Sequence, residues 1–208
     1  MGTTLGELAV RFGLELAGDP ALEVTRVATL QAAGPGCLTF LANPHYRRHL
    51  AATRATAVVL DPRSAADCPA AALLSPNPYA AFARIAQVLH PEPAAPPGIH
   101  ASAVVDPGAQ VAGNATVGPQ AVIEAGVQVG ERALVGPGCV VMRGARIGPD
   151  TRLVARVTLY PGVVLGSRCV VHAGVVIGAD GFGFAPDRDG YVKVPQVGAV
   201  QIGDDVEV

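Results

Sequence analysis

Residues 99–177 place an aliphatic side chain at every sixth position without exception. The repeated positions are Ile99, Val105, Val111, Val117, Ile123, Val129, Val135, Val141, Ile147, Leu153, Leu159, Leu165, Val171 and Ile177. A period of six matches neither the face of an α-helix nor the simple alternation of one strand. It is typical of a parallel β-helix, in which each repeat supplies one short strand and one turn and three repeats close a triangular coil.

A second position of the repeat is restricted as well. Four residues after the aliphatic position the side chain is small or slim, as at Ala103, Ala121 and Cys139, and glycine often follows the aliphatic residue directly, as at Gly118. We therefore expect aliphatic side chains along the axis, small ones in the corners, and coils stacked about 4.8 Å apart. The predicted β-helix covers residues 99–208 and has between about four and five coils before the period is interrupted.

A stretch rich in glycine and phenylalanine interrupts the period. Ile177 and Ile202 are 25 residues apart, one more than four repeats, so an inserted loop is predicted at about residues 179–199. Phe182 and Phe184 give this loop apolar side chains that call for a partner surface. The insertion is either a tolerated surface loop or a cleft loop that reaches a neighbouring subunit and shapes a binding cleft; we favour the second interpretation.

Residues 1–90 lack the sixfold period and predict a separate, small α+β domain. Thr4 is a candidate N-cap for a first helix, and a second amphipathic helix is expected after Pro78. Strand-like runs are predicted at residues 22–27, 38–41, 56–60 and, more weakly, 72–74. The proline-rich residues 91–98 predict a semi-rigid linker to the β-helix.

The sequence LTFLANPHYRRHL, residues 38–50, contains a candidate binding site. Phe40 and Tyr46 bracket Asn43, and Pro44 fixes a turn between them. Two aromatic rings can stack on the faces of a planar base, while an amide can hydrogen-bond its edge. The alternative is that Phe40 and Tyr46 are core residues of a strand and a helix.

Composition excludes several other functions. A formal net charge of −2 and the lack of a basic stripe argue against nucleic-acid binding. No apolar run approaches the roughly 18 residues of a transmembrane segment. The cysteines, Cys37, Cys68, Cys139 and Cys169, lack metal-ligand spacing, which predicts free thiols in a cytoplasmic protein and no metal site.

Together these segments resemble the UDP-3-O-(3-hydroxyacyl)glucosamine N-acyltransferases of bacterial lipid A biosynthesis, which belong to the hexapeptide-repeat acyltransferases. The resemblance covers essentially the whole chain. It depends on residues 38–50, on the repeat domain that follows a proline-rich joint, and above all on GADGFGFAPDRDGYVKVPQVG at residues 178–198. The last segment is much more specific than hexapeptide repeats alone.

The resemblance implies a left-handed coil, a homotrimer and a reaction. Phe40, Asn43 and Tyr46 correspond to the uridine-binding residues of the family. A 3-hydroxyacyl group is transferred from the phosphopantetheine arm of acyl-carrier protein to the 2-amino group of UDP-3-O-(3-hydroxyacyl)glucosamine, in clefts between subunits. The acyl donor is a substrate, so no separate cofactor is implied. The attacking amine needs a general base, a role suited to histidine.

In the family, the catalytic histidine belongs to later repeats, beyond Val208. We therefore expect no catalytic residue in this chain, a truncated coil, and no activity of the chain alone. His100 and His172 are four coils apart on one face, about 19 Å, too far to act together. His172 is expected to be a solvated surface residue.

Other functions stay open at this stage. The chain fits another sugar-nucleotide acyltransferase of the hexapeptide class, or a UDP-sugar-binding fragment without catalysis. A hexapeptide carbonic anhydrase requires three zinc-binding histidines, whereas the repeats contain His100 and His172. A structural solenoid requires a regular outward array, and threonine is too sparse here to provide one.

Overall fold

The computed structural model describes residues 2–91 and 95–208 and divides the chain into two compact units, Met1–Pro93 and Ala94–Val208. The predicted linker, residues 91–98, falls partly on residues 92–94, which lie outside the described residues. Its last residue belongs to the first strand of the second unit, Gly98–Ile99.

The first unit contains two α-helices and a mixed sheet. The helices are α1 (Leu5–Phe12) and α2 (Pro78–Leu89), and 3₁₀-helices span Pro44–His49 and Pro62–Asp67. The strands are β1 (Thr3–Thr4), β2 (Glu15–Ala17), β3 (Glu23–Val24), β4 (Arg26–Val27), β5 (Cys37–Leu41), β6 (Ala57–Leu60) and β7 (Ala71–Leu74). Five of them form a sheet in the order β2-β7-β6-β5-β4. All its pairs are parallel except that of β2 with β7.

The capping signals of α1 account for its position. Thr4 accepts a hydrogen bond from the Glu7 N–H, and the Glu7 carboxylate accepts one from the Thr4 N–H, which forms a capping box. Gly13 ends the helix in the left-handed conformation, with φ of 62°. The predicted N-cap is confirmed. Leu5 and Leu8 are fully buried and pack against the sheet's core.

The second unit confirms the predicted fold, a left-handed parallel β-helix. Its coil strands have two residues each: β8 (Gly98–Ile99), β9 (Val104–Val105), β10 (Gln110–Val111), β11 (Thr116–Val117), β12 (Val122–Ile123), β13 (Gln128–Val129), β14 (Leu134–Val135), β15 (Val140–Val141), β16 (Arg146–Ile147), β17 (Arg152–Leu153), β18 (Thr158–Leu159), β19 (Val164–Leu165), β20 (Val170–Val171) and β21 (Val176–Ile177). Every third strand pairs in parallel, which produces three flat faces.

The inward positions follow the predicted period. From Val117 to Ile177 every sixth residue is buried, and the small corner residues between Ala115 and Cys169 are buried with them. Ile99 is an exception, because the first coil has a neighbouring coil on one side only; its side chain is 52% exposed. The apolar core therefore runs along the axis of the prism.

One corner of the β-helix has a ladder of alternating charge. Arg132, Asp150, Arg168 and Asp205 stack there in left-handed backbone conformations, with φ between 54° and 58°. The Arg132 guanidinium donates to both Asp150 oxygens, at 2.7 and 2.8 Å, and Arg168 donates to both Asp205 oxygens, at 2.6 Å. Bidentate pairs of this kind favour the ionised carboxylates, so the pKa values of Asp150 and Asp205 are lowered.

The predicted insertion is a β-hairpin. Strands β22 (Phe184–Asp187) and β23 (Gly190–Lys193) pair in antiparallel fashion, and the chain then re-enters the coil at β24 (Gln201–Ile202). Ile202 stacks on Leu165. These two residues are 37 positions apart instead of the usual 18, so the insertion adds 19 residues without changing the face on which the coil resumes.

Candidate functional site

The first unit has an open cavity of about 600 Å³ beside the end of β5. It is lined by residues 29–31 and 39–43, Tyr46 and Tyr79. The structure thus brings Phe40, Asn43 and Tyr46, the three predicted binding residues, into one cavity. We call it the aromatic cavity. Their role in binding a base stays a prediction.

The cavity lies at an open sheet edge because β4 is shorter than β5. The N–H of Ala28 donates to the carbonyl of Leu38, and the N–H of Thr56 donates to that of Cys37. Backbone N–H and C=O groups of successive residues in a strand point to opposite sides. Those of Leu38 face β4, so those of Phe40, two residues later, face the same side, at a point where β4 has already ended. The loop that follows β4 lines the cavity there.

Phe40 is held in a cluster of rings at the start of α2. Its ring lies 5.2 Å from that of Tyr79, nearly parallel at 26°, and 4.4 Å from that of Phe82. Tyr79 is 63% exposed, whereas Phe82 packs against the core. Contacts of this kind stabilise ring orientation in addition to burying area. Phe40 and Tyr79 therefore form a supported aromatic wall.

Asn43 and Tyr46 lie on the 3₁₀-helix that follows β5. Asn43 is its N-cap, and its Oδ1 accepts a hydrogen bond from the His45 N–H at 3.0 Å. This bond orients the amide, whose NH₂ group has two N–H donors for a ligand. Tyr46 is 47% exposed and contacts the ring of His45 edge-on, with centroids 5.8 Å apart. Its ring is thus a surface feature, not a core residue.

Of the lining residues that the sequence interpretation did not include, Tyr79 and Thr39 lie beside Phe40, Tyr79 against its ring and Thr39 next to it in β5. Tyr79 falls at helical spacing with Phe82 and Ile85, a pattern that predicts a place on the core face of the second helix. Its place directly after Pro78, in the first helical turn, is the one signal that separates it from them. Thr39 is the other residue, and no sequence signal distinguishes it from its buried neighbours.

Comparison with known proteins gives matches over both units. Residues 21–88 match the family model for UDP-3-O-(3-hydroxymyristoyl) glucosamine N-acyltransferase, and residues 113–143 and 144–179 match hexapeptide-repeat models of bacterial transferases. A UDP-3-O-acylglucosamine N-acyltransferase from Xanthomonas axonopodis pv. citri is 52% identical over 208 residues, all of this chain and 62% of that protein. This chain belongs to that acyltransferase family.

Other members of the acyltransferase family give similar figures. The Pseudomonas aeruginosa protein of the same name is 50% identical over 205 residues, which cover 99% of this chain and 58% of that protein. The chain thus spans about three fifths of the length of these relatives. Among solved structures, perosamine N-acetyltransferase from Caulobacter crescentus aligns over 93% of this chain and 94% of its own, at 16% identity and a TM-score of 0.30. That score is too low to support an argument.

The predicted cleft loop lies in the second unit. Phe182 is 97% exposed and Phe184 43% exposed, and their ring centroids are 5.1 Å apart. A cavity of about 730 Å³ lies where the insertion leaves the coil, lined in part by Arg143, Tyr160 and Asp180. Neither phenylalanine lines this cavity, and their rings contact each other.

The coil histidines lie on one face, as predicted. His100 follows β8 and His172 follows β20, and both strands belong to the same sheet. His172 is exposed, as predicted, and its Nε2 lies 2.8 Å from Glu207 Oε1 in the last coil. The Nδ1 of His100 lies 2.9 Å from Ser102 Oγ. Across residues 2–91 and 95–208, no three side chains of histidine, cysteine, aspartate or glutamate converge as metal ligands do.

Neither of the α-helices that the structure describes combines the length and hydropathy of a membrane span.

Proposed function

We propose that the aromatic cavity binds the uridine of a UDP-sugar. The observation that supports this is the convergence of Phe40, Asn43 and Tyr46 on one open cavity of about 600 Å³. Cavities of this size accommodate small-molecule ligands. The aromatic rings stack on the pyrimidine faces, and the Asn43 N–H groups donate to a carbonyl oxygen of the base edge.

The reaction we assign to the whole protein is N-acyl transfer from acyl-carrier protein to UDP-3-O-(3-hydroxyacyl)glucosamine, in the cytoplasm. The sugar's 2-amino group attacks the thioester carbonyl, an amide bond forms, the carbon–sulfur bond breaks, and the phosphopantetheine thiol leaves. A general base takes the amine proton. We assign that role to no histidine of this chain. The names of the relatives and the matched family model support this assignment.

The homotrimer is part of the same proposal. Phe182 and Phe184 expose apolar rings on the inserted segment, together with Tyr191 and Val197, which are 77% and 94% exposed. We assign this surface to a contact with a neighbouring subunit beside the acyl-donor cleft. Replacing Phe182 and Phe184 together by serine is expected to shift the protein toward monomers in sedimentation velocity. An unchanged trimer in that variant argues against this role.

A second candidate is an acyltransferase that uses a different sugar nucleotide. The hexapeptide coil fits it equally well, but the match of residues 21–88 to the uridine-sugar acyltransferase model favours the first. Titration with UDP and GDP separates the two candidates, because a cavity built for a pyrimidine binds UDP much more tightly. Binding of UDP without acyl transfer identifies the remaining alternative, a non-catalytic UDP-sugar-binding fragment.

The uridine site is tested with Asn43→Asp. The new carboxylate keeps an oxygen that can accept from the His45 N–H, but it lacks the N–H donors that the base requires. We expect at least about a tenfold loss of UDP affinity by isothermal titration calorimetry, with little change in melting temperature. The control is Asn114→Asp, in the coil, where Asn114 Oδ1 likewise accepts from a backbone N–H, that of Arg132. Equal UDP affinity in both variants contradicts the proposal.

A further inference from the structure

Phe40 has a backbone N–H and C=O that the fold leaves without a partner. On the β6 side of β5, the Cys37 carbonyl accepts from the Thr56 N–H. On the β4 side, the Leu38 carbonyl accepts from the Ala28 N–H. Backbone groups of successive residues alternate, so those of Phe40 point to the β4 side. Within the part of the chain that the structure describes, no strand lies beside Phe40 on that side, and no loop residue bonds to its backbone groups.

The aromatic cavity occupies the place that a longer β4 would take. Directly after β4 the chain turns, and the Thr29 carbonyl accepts from the Ala33 N–H. In a longer β4 the Ala28 carbonyl would accept from the Phe40 N–H, which is the next bond of a parallel ladder. The cavity is lined by residues of this turn and by the end of β5. The free backbone groups of Phe40 therefore border the cavity.

The two groups form a ready-made pair of one donor and one acceptor. Buried or half-buried backbone groups are almost always paired, and the open edge of a strand pairs with whatever lies against it. Phe40 is half-buried. Its N–H and C=O lie on the same side of one extended residue, at the fixed spacing with which a strand binds its neighbour. A ligand that presents an acceptor next to a donor along one edge matches this pair.

Uracil has such an edge, because its ring N–H lies between two carbonyl oxygens. The Phe40 carbonyl can accept from the ring N–H while the Phe40 N–H donates to one adjacent oxygen. The other oxygen is left for the donors of Asn43. A base bound in this way lies in the plane of the sheet and turns its faces above and below it. The Phe40 ring packs against Tyr79 and Phe82 of α2, so it covers the face on the α2 side.

We propose that the backbone N–H and C=O of Phe40 bind the edge of the uracil, in the way that the edge of β5 would bind another strand. This inference rests on the uridine-binding function proposed above. It makes the ring N–H of the base a determinant of specificity, because a base without that donor leaves the Phe40 carbonyl unpaired. The short β4 thus has a function, since it leaves this part of β5 open.

The first test changes the ligand and leaves the protein unmodified. Isothermal titration calorimetry compares UDP with 3-methyl-UDP, which lacks the ring N–H, and with 5-methyl-UDP, which keeps it. We expect 3-methyl-UDP to bind at least about tenfold more weakly than UDP, because the donor is lost and a methyl group meets the carbonyl. We expect 5-methyl-UDP to bind within about threefold of UDP, because its hydrogen-bonding edge is intact.

Gln31 also lines the cavity, and its side-chain amide is the competing acceptor for the ring N–H. The same three ligands are therefore titrated into Gln31→Ala. If the acceptor is the Phe40 carbonyl, the ratio of UDP to 3-methyl-UDP affinity is kept in this variant, whatever its effect on the affinity for UDP. A ratio that falls to about one assigns the contact to Gln31 and overturns the role of Phe40.

The second test removes the Phe40 N–H itself. Phenyllactic acid in place of Phe40 keeps the ring and replaces the N–H by an ester oxygen. We expect about five- to tenfold weaker binding of both UDP and uridine, with equal losses because the contact is to the base. The control is phenyllactic acid in place of Phe12, the last residue of α1, where the same chemical change is expected to leave UDP affinity unchanged. If the Phe40 ester folds poorly, the comparison of the three ligands decides.

The outcomes separate the two proposals. Equal affinity for UDP and 3-methyl-UDP overturns the role of the Phe40 backbone and leaves the uridine site standing. Unchanged UDP affinity in the folded Phe40 ester overturns it as well, and so does a loss with UDP that is absent with uridine. If the folded, unmodified protein binds neither UDP nor uridine, the proposed function fails, and the role of the Phe40 backbone fails with it.

Discussion

Gly136 is the position at which a single methyl group has the largest predicted effect on the β-helix. A Cβ at this residue would lie 2.0 Å from the carbonyl oxygen of Val154 and 2.6 Å from that of Leu153, both in the next coil. Both atoms belong to the backbone, so no side chain can rotate to make room. The Leu153 carbonyl also accepts the Gly136 N–H at 2.8 Å, a bond that holds the two coils together. Gly136→Ala must therefore separate the coils locally.

The size of the effect follows from these distances. Relieving the contact requires a shift of about 1 Å or more, in a stack whose spacing is about 4.8 Å, and this weakens the hydrogen bond and the packing beneath it. Overpacking of this kind together with the weakened bond costs about 3 kcal/mol or more. For a unit of this size that corresponds to a fall in melting temperature of roughly 10–20 °C.

The assay is differential scanning calorimetry with Gly113→Ala as the matched control. A Cβ at Gly113 meets nothing within 4 Å, and its φ is not in the left-handed region. The same substitution there is expected to leave stability unchanged or to raise it slightly, because alanine lowers the entropy of the unfolded chain. Melting temperatures for Gly136→Ala and Gly113→Ala that agree within about 2 °C would refute the steric argument.

Three further predictions concern the corner ladder, the first helix and the aromatic wall. The Arg168 hydrogen bonds lower the pKa of Asp205. The stabilisation by this pair is therefore complete above the usual pKa of the carboxyl group and is lost as the pH falls through the lowered value. The melting temperature of Asp205→Asn is expected to lie below that of the wild type at neutral pH and to converge with it in strong acid. Thr4→Ala removes the cap of α1 and is expected to cost about 1 kcal/mol in urea unfolding. Tyr79→Ala removes the ring stacked on Phe40 and is expected to weaken UDP binding several-fold, measured by calorimetry, with little loss of stability, because Tyr79 is mostly exposed.

Most of the β-helix could be predicted from its period. Inward side chains recur at a fixed interval because each coil repeats the same backbone path, so the sequence also predicts which strands stack. The hairpin at Phe184–Asp187 and Gly190–Lys193 could be placed but not described. Its strand residues are all exposed, and no inward pattern indicates that they pair. A period identifies where a chain leaves the coil, whereas the fold of the departing segment depends on local pairing.

The first unit was less predictable at its edges. The expected strand over residues 22–27 is divided into Glu23–Val24 and Arg26–Val27, because the first piece pairs with β1 and the second pairs with β5 in another sheet. The strand Glu15–Ala17 was not expected at all. It pairs with β7 at the edge of the sheet, and Leu16 is the one of its three residues that packs against the core, so the alternation is too short to indicate a strand. Edge strands are fixed by the partners they meet, so their sequence says little about them.

Some residues of the aromatic cavity could be predicted from the sequence, and others could not. Phe40, Asn43 and Tyr46 lie within seven residues of one another, so a local motif was enough to group them. Tyr79 reaches the same cavity from the first turn of α2, and helical spacing assigns it to the core face because periodicity does not show where the sheet beneath a helix ends. Here β4 ends before β5, so the first turn of α2 lies over an open edge and Tyr79 remains exposed. The length of one short strand therefore determines that this ring contributes to a binding surface instead of the core.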